Sequence, residues 1–128
     1  MPNYMLLLYA PEVDEAGQAE RWAEMPKWSE LTESLEEAGL LISNAPLEAV
    51  DSATTVRVRD NTTEITDGPF AVTKEVLVGY YLLSCADLDE ALRQAARVPS
   101  ARYGSVEVRP VMDISTIPAP DQATSASP

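Results

Sequence analysis

The chain has 128 residues, of which 45% are hydrophobic, and its nine basic and 21 acidic side chains give a net charge of −12. This length and hydrophobic content suit one domain with a single core. A strongly acidic chain repels phosphate groups, which excludes nucleic acid and anionic membrane surfaces as partners. No stretch approaches the roughly 20 apolar residues that span a bilayer, and the first residues lack a signal-peptide pattern, so we expect a cytoplasmic protein.

The single cysteine, Cys85, and the lack of histidine restrict the chemistry open to the chain. One cysteine cannot form an internal disulfide, and without histidine no set of soft ligands exists for zinc or iron. The five glycines are scattered and form no phosphate-binding or dinucleotide pattern. We therefore expect no metal site and no organic cofactor, and we interpret Cys85 as a small buried filler.

The charges are unevenly distributed along the chain. Residues 1–51 hold eleven acids but only two bases, Arg21 and Lys27. This pattern favours a solvated, solubilising helical face over an acidic docking surface. The remaining residues hold seven bases against ten acids, so we expect an anionic ligand to bind away from the N-terminal helices.

The first part of the chain predicts a strand, two helices and an extended segment. Residues 3–10 are apolar on both faces, as in a central strand covered on two sides. Residues 15–25 predict a short helix, Pro26 begins a longer helix that runs to about Ala38, and residues 40–48 are extended. We assign Trp22 and Trp28 to the core, because both lie on the apolar stripes of these helices.

The second part predicts a hairpin, a strand, a helix and a final strand. The alternating segments 54–59 and 62–66 are joined by Asp60-Asn61, a pair that tolerates the positive φ of a tight turn. Residues 76–84 are apolar on both faces. A helix begins near Asp87, whose spacing from Glu90 suits a capping box, and residues 105–111 form the last strand. Residues 114–128 are rich in Pro, Ser, Ala and Thr and predict a disordered tail.

This order predicts an α+β protein of the ferredoxin-like βαββαβ type, with a β-hairpin inserted before the strand at 76–84. Two long helices can cover only one face of the sheet, yet two of its strands are apolar on both faces. A second copy of the chain is the simplest cover for the other face. We therefore expect a homodimer that forms a dimeric α+β barrel and encloses small-molecule pockets.

Two segments resemble the DGPF-type branch of the YCII-related proteins. They read "ATTVRVRDNTTEITDGPFAVTKEVLVGYYLL" and "DLDEALRQAARVPSARYGSVEVRPV". The resemblance implies a dimeric α+β barrel over residues 1–113 with a small-molecule pocket. Some YCII relatives act in aromatic degradation, for example as dehydrochlorinases. In the wider family a histidine and an aspartate resemble a catalytic pair, but this chain has no histidine, and Val98 stands at the aspartate position.

The loss of that pair makes the segment "DGPFAVTKE" (67–75) the candidate catalytic loop. Gly68 precedes Pro69, which should steer its backbone to extended geometry just after Asp67. Asp67 is then a candidate acid or base, provided that burial raises its pKa. Lys74 could stabilise an anionic substrate, with Glu75 orienting it. The alternative is that Asp67 bonds to nearby backbone N–H groups while Lys74 and Glu75 pair at the surface.

Candidate ligand-binding residues lie elsewhere in the chain. Arg102 could clamp a carboxylate with its planar fork, or form a surface or intersubunit ion pair. Ser100 lacks a histidine to activate it, which favours a capping role. Candidates from aromatic residues are Tyr9, Phe70, Tyr80 and Tyr81. Of these, Phe70 is better suited to a core or dimer anchor, and the tyrosines are as readily explained by packing.

Two functional hypotheses follow. The first is a cofactor-free enzyme acting on a small anionic or aromatic compound, with Asp67 beside an open cavity. The second is a non-catalytic binding or regulatory module with an exposed acidic helix face. DGPF-type proteins resemble partners encoded beside extracytoplasmic-function sigma factors, so such a factor is the expected partner in the second case.

Overall fold

The computed structural model describes residues 1–118, and these form an α+β fold. Along the chain lie β1 (Asn3–Pro11), α1 (Glu15–Trp22), α2 (Met25–Glu37), β2 (Leu41–Pro46), β3 (Thr54–Arg59), β4 (Thr62–Asp67), β5 (Glu75–Ser84), α3 (Leu88–Ala95) and β6 (Ser105–Pro110). Strands β2, β5, β1 and β6 form an antiparallel sheet in that order, and β3 pairs with β4 in a separate hairpin. This is the predicted ferredoxin-like plan, with the hairpin inserted before the third core strand.

The core lies between the sheet and the helices because alternate residues of the central strands point to one side. On β1, Tyr4, Leu6 and Leu8 are buried, and they pair in register with Leu83, Tyr81 and Gly79 of β5. Leu31 and Leu35 of α2 and Ala91 and Ala95 of α3 complete the same cluster. The helices therefore cover one face of the sheet, as expected.

The opposite face of the two central strands, β1 and β5, is apolar as well. Met5 and Leu7 of β1 lie opposite Leu82 and Tyr80 of β5, and all four side chains are half-buried. This confirms that the two central strands are apolar on both faces. Within residues 1–118 no helix packs across this face, and we call it the open face.

Two of the predicted helix details are confirmed and one is wrong. The capping box of α3 forms as expected, because the Glu90 amide donates to Asp87 at 2.9 Å and the Ala86 amide donates to Glu90 at 2.7 Å. On α2 the Trp28 ring stacks on Tyr81 at a centroid distance of 6.4 Å. In contrast, Trp22 is 62% exposed, so its assignment to the core was wrong. Helix α1 ends at Trp22 and buries no side chain, which leaves its stripe without a packing partner.

The hairpin has the predicted turn, with φ of 51° at Asp60 and 63° at Asn61. The side chains of its two strands, β3 and β4, are all exposed except that of Thr55, which is half-buried. Its base is closed by the Gly68 amide, which donates to the Ala53 carbonyl at 2.7 Å. Gly68 itself has a φ of +93°, so the expected extended geometry was wrong. This position uses the freedom of glycine to reach positive φ, a region unfavourable for other residues.

The C-terminal part of the described chain ends in a 3₁₀ turn at Ile114–Thr116, the first residues of the predicted tail. Residues 119–128, which form most of that tail, lie outside the described residues. None of the helices within residues 1–118 combines the length and the hydropathy that crossing a membrane requires.

Candidate functional site

A cleft whose lining includes charged side chains lies between helices α1 and α2 and the 3₁₀ turn Pro99–Arg102 that precedes β6. The turn is held close to the sheet at Gly104, because a Cβ atom there would overlap the Tyr9 carbonyl oxygen and lie 3.0 Å from the Ala10 Cα. The Ser100 carbonyl also accepts the Gly104 amide at 2.7 Å. These contacts place Arg102 and Tyr103 against the N-terminal helices.

The large cleft has a volume of about 450 Å³, and the small cleft beside it about 230 Å³. Lys27 and Arg102 line both of them. The other residues of the large cleft are Val13, Gly17, Glu20, Arg21, Glu24 and Tyr103. The other residues of the small cleft are Glu30, Leu31, Arg97 and Pro99.

These clefts concentrate positive charge in an acidic protein. Four of the nine bases of the chain line them, Arg21, Lys27, Arg97 and Arg102. Only three acids do so, Glu20, Glu24 and Glu30. The local balance therefore favours an anion, although the whole chain carries a net charge of −12.

Glu24 connects the two sides of the large cleft. One of its carboxylate oxygens accepts from the Arg102 guanidinium at 3.1 Å, and the other accepts from the Tyr103 hydroxyl at 2.9 Å. The Arg21 guanidinium lies 4.7 Å above the centre of the Tyr103 ring. Burial, together with the hydrogen bond and the negative charge of Glu24, raises the pKa of Tyr103 above its ordinary value. Tyr103 therefore stays a neutral hydrogen-bond donor at physiological pH.

Comparison with known proteins gives the family. Residues 3–115 match the YCII-related domain. The chain belongs to the YCII-related family. An uncharacterised protein from Rhizobium meliloti (strain 1021) is 48% identical over 77 residues, which cover 59% of this chain. The matched region spans 62% of the length of that relative.

The small cleft of this YCII-related chain lies beside the position at which the resemblance to the wider family implies an aspartate. That position is Val98, which is buried and apolar, and the next residue, Pro99, lines the small cleft. Val98 cannot hold or move a proton. The charged side chains that line the small cleft are instead those of Lys27, Glu30, Arg97 and Arg102.

The predicted catalytic loop lies away from both clefts. Asp67 is the last residue of β4, and both it and Lys74 are exposed. Glu75 is half-buried and pairs with Pro11 at the start of β5. The structure records no hydrogen bond or ion pair of the Asp67 or Lys74 side chains within residues 1–118. A single YCII-related chain thus gives Asp67 neither burial nor a cavity, and its role stays a prediction.

The predicted aromatic ligands are dispersed. Phe70 is 77% exposed beyond the hairpin base, and Tyr9 lies on the open face of the sheet. Tyr80 and Tyr81 point to opposite faces, as expected. Tyr81 is buried in the core and shares a hydrogen bond of 2.9 Å with Thr32. None of these four side chains lines the described clefts.

Ser100 and Arg102 belong to the same turn but differ in environment. The Ser100 side chain is buried, and its hydroxyl has no hydrogen-bond partner among the described residues. Arg102 is the predicted ligand residue that the structure places in a cleft, where it forms the ion pair with Glu24.

Sequence reasoning missed four residues of the large cleft, Arg21, Glu24, Lys27 and Tyr103. The available signal was that Arg21 and Lys27 are the only bases among residues 1–51. The sequence predicts an anion site away from the N-terminal helices, and this stays a prediction. Two of the four cleft cations, Arg21 and Lys27, come from those helices. The position of the Pro99–Arg102 turn beside the helices brings Arg102 close to Arg21 and Lys27.

The cleft residues offer no metal site. Within residues 1–118 the structure contains no group of three or more cysteine, aspartate or glutamate side chains arranged to hold a metal ion. Cys85 is fully buried, and burial raises the pKa of its thiol, with smaller contributions from Glu90 and Asp87. Its environment is that of an inert packing residue, as predicted.

Proposed function

We propose that this YCII-related protein binds a small organic anion in its two adjoining clefts. The observation that carries the proposal is the meeting of four of the nine bases around an open cavity in a strongly acidic chain. The large cleft, at about 450 Å³, lies within the usual size of small-molecule sites, roughly 300–1,000 Å³.

The lining supports a ligand that combines a carboxylate with an apolar body. Arg102 and Lys27 supply positive charge from both clefts, and an Arg fork matches the geometry of a carboxylate. Leu31 and Pro99 give the small cleft an apolar wall. Aromatic or short aliphatic carboxylates are therefore the proposed substrate class, and the proposal needs no cofactor.

A binding measurement on purified protein tests this assignment. Benzoate should bind more tightly than the uncharged benzamide in isothermal titration calorimetry, because the cations recognise the carboxylate. Arg102→Gln should weaken benzoate binding by about tenfold, the loss typical of a charged hydrogen bond.

Arg93→Gln is the matched control, because this substitution removes the same charge from α3, outside both clefts and away from the open face. We expect it to change the affinity by less than about twofold, the effect of a distant screened charge. Equal losses in the two variants, or no preference for benzoate over benzamide, would contradict the proposed site.

The homodimer forms the second part of the proposal. The open face carries Met5, Leu7, Tyr80 and Leu82 without a helix across it. On the hairpin, Val56 and Ile65 pair across the strands and are 60% and 70% exposed. A two-stranded hairpin is only marginally stable unless it packs on something else. A second copy of the chain covers the open face in a dimeric α+β barrel and supplies packing for the hairpin.

Sedimentation velocity checks this assembly. The wild type should sediment at twice the chain mass of 13.9 kDa, and Leu82→Lys should sediment as a monomer. Leu92→Lys is the control, since Leu92 is exposed on α3, on the helix side of the sheet. A monomeric wild type at micromolar concentration would exclude the dimer.

Catalysis by Asp67 is the finer part of the proposal. It requires the second copy to bring the hairpin base to a cleft, because within one chain Asp67 is exposed and lies outside both clefts. In this arrangement Asp67 acts as acid or base, and Lys74 and Glu75 assist it. If Asp67→Asn leaves both benzoate binding and the turnover of any carboxylate substrate unchanged, the loop has no catalytic role.

A non-catalytic regulatory module is the second candidate, and the exposed Trp22 favours it. An exposed tryptophan flanked by acids on α1 and α2 is a suitable anchor for a basic segment of another protein. The partner proposed here is an extracytoplasmic-function sigma factor. Trp22→Ala should then abolish binding of that factor without changing benzoate affinity, and unchanged binding of the factor would exclude this surface.

A further inference from the structure

The Glu24 carboxylate is bound as a ligand carboxylate would be. Its two oxygens accept separately from the Arg102 guanidinium at 3.1 Å and from the Tyr103 hydroxyl at 2.9 Å. A positive fork beside a neutral hydroxyl donor is a common arrangement for recognising a carboxylate. The position that suits an anionic group in the large cleft is therefore already filled by a side chain of the protein.

Helix α2 does not need this carboxylate. Glu24 stands at the N-cap of α2, yet its side chain makes no capping hydrogen bond there. Glutamate is also absent from the residue types that favour this position, which are Ser, Thr, Asp and Asn. The recorded partners of the Glu24 side chain, within residues 1–118, are Arg102 and Tyr103. Both come from the turn on the other side of the cleft.

The partner of Glu24 is free to move. The Arg102 side chain is 63% exposed, whereas the Glu24 side chain is 15% exposed. Water reaches the pair from the Arg102 side, so the Arg102 guanidinium is accessible to an incoming carboxylate. That carboxylate must replace both hydrogen bonds of the largely buried Glu24 side chain.

Two further cations lie in the same cleft. Arg21 and Lys27 line it, and no ion pair of either side chain is recorded within residues 1–118. A carboxylate in the cleft can contact these charges while Arg102 is still paired with Glu24. Displacing Glu24 then adds Arg102 and the Tyr103 hydroxyl to its contacts.

We propose that Glu24 is a built-in competitor of the ligand, and that the carboxylate of the bound compound replaces Glu24 on Arg102 and Tyr103. This inference rests on the proposed function and adds the position at which the ligand carboxylate binds. It also makes Glu24 a residue that sets affinity, because the ligand must displace it. The ligand class is a compound with one accessible carboxylate, small enough for the large cleft.

The experiment compares two substitutions in one cleft, each of which replaces a charged glutamate by a neutral glutamine. Glu24→Gln and Glu20→Gln each remove one negative charge from the lining of the large cleft. Only Glu24 contacts Arg102 and Tyr103. Benzoate affinity, measured by calorimetry, should rise by about tenfold in Glu24→Gln, because a weaker competitor remains. In Glu20→Gln it should rise by less than about threefold, the effect of general charge removal.

A double-mutant cycle shows whether the gain passes through Arg102. In the Arg102→Gln background, the gain from Glu24→Gln should fall from about tenfold to less than about threefold, because the Arg102 contact for which the two carboxylates compete is gone and general charge removal remains. Arg102 is exposed, so these variants are expected to fold, and thermal unfolding of each one checks this.

The outcomes separate the two proposals. Equal gains in Glu24→Gln and Glu20→Gln, or a gain of about tenfold that persists in full without Arg102, would overturn the competitor role while leaving anion binding in place. If benzoate binds to neither the wild type nor Glu24→Gln, the anion site itself is wrong, and the competitor role is wrong with it. Binding to Glu24→Gln alone would support both.

Discussion

The large cleft and the β3–β4 hairpin both carry charged side chains, but they differ in how many parts of the chain form them. The cleft is lined by α1, α2 and the turn before β6, and Gly104 after that turn lies so close to β1 that a Cβ atom there would overlap the Tyr9 carbonyl oxygen. The hairpin is exposed along both of its strands, and its base is closed within the hairpin itself by the bond of Gly68 to Ala53. The family signature lies at the hairpin base, whereas the cluster of cations lies in the cleft.

This difference shows that the most distinctive segment of the sequence need not coincide with the cleft that a single chain forms around its cations. Asp67 and Phe70 are exposed in a single chain. Arg102 and Tyr103 have partners within one chain. The hairpin is therefore the region that assembly would change most, and the cleft is the region that a monomer already possesses.

The largest expected effect is on the free energy of unfolding, which a substitution in the core should lower far more than one on the hairpin. Leu83→Ala should lower the free energy of unfolding by about 3 kcal/mol, because Leu83 is fully buried and its loss leaves a cavity. Urea denaturation followed by circular dichroism measures this change.

Ile65→Ala provides the comparison on the hairpin. Ile65 is 70% exposed, so in a monomer its loss should change the free energy of unfolding by less than about 0.5 kcal/mol. A larger loss that depends on protein concentration would mean that a second copy covers the hairpin.

A smaller effect compares two glycines. Gly104→Ala should cost about 1–3 kcal/mol, because the added methyl group meets the backbone of Tyr9 and Ala10. It should also weaken benzoate binding, since the turn that carries Arg102 must shift. Chemical denaturation and calorimetry measure the two effects.

Gly68→Ala is the counterpart at the hairpin base. Nothing lies within 4 Å of a Cβ atom there, but the φ of +93° is unfavourable for alanine, at a cost of about 1–2 kcal/mol. We expect this variant to leave benzoate affinity unchanged. A loss of affinity would show that the hairpin contributes to the cleft.

The smallest effect concerns alkaline pH. The pKa of Tyr103 is raised in the folded protein by burial and by Glu24, so the folded state holds this proton more tightly than the unfolded state. The resulting stability is fully present below the ordinary tyrosine value of about 10 and is lost as the pH rises through the raised value.

Denaturation of the wild type and of Tyr103→Phe at pH 8 and above pH 10 checks this dependence. The difference in unfolding free energy, about 1 kcal/mol for one hydrogen bond, should shrink at the higher pH. A constant difference at both values would contradict the link between Tyr103 and Glu24.

Much of the fold was predictable because local patterns report local structure. The positive φ of Asp60 and Asn61, the capping box of Asp87 and the two-sided apolar pattern of β5 are all confirmed. The exposure of Trp22 was not predictable, because a helical stripe shows which residues share a side but not whether another element packs there. The positive φ of Gly68 was missed for a different reason. Proline restricts the backbone of the residue before it less when that residue is glycine.

The sequence by itself determined the order of the elements, the ferredoxin-like plan and the candidate status of Arg102, since each depends on periodicity, turn residues or a family motif. The tertiary structure alone decided what surrounds Arg102. Glu24 lies 78 positions away in the chain and meets Arg102 only because the Pro99–Arg102 turn packs against the N-terminal helices. Local patterns cannot encode such a contact, because its geometry is set by how separate elements pack.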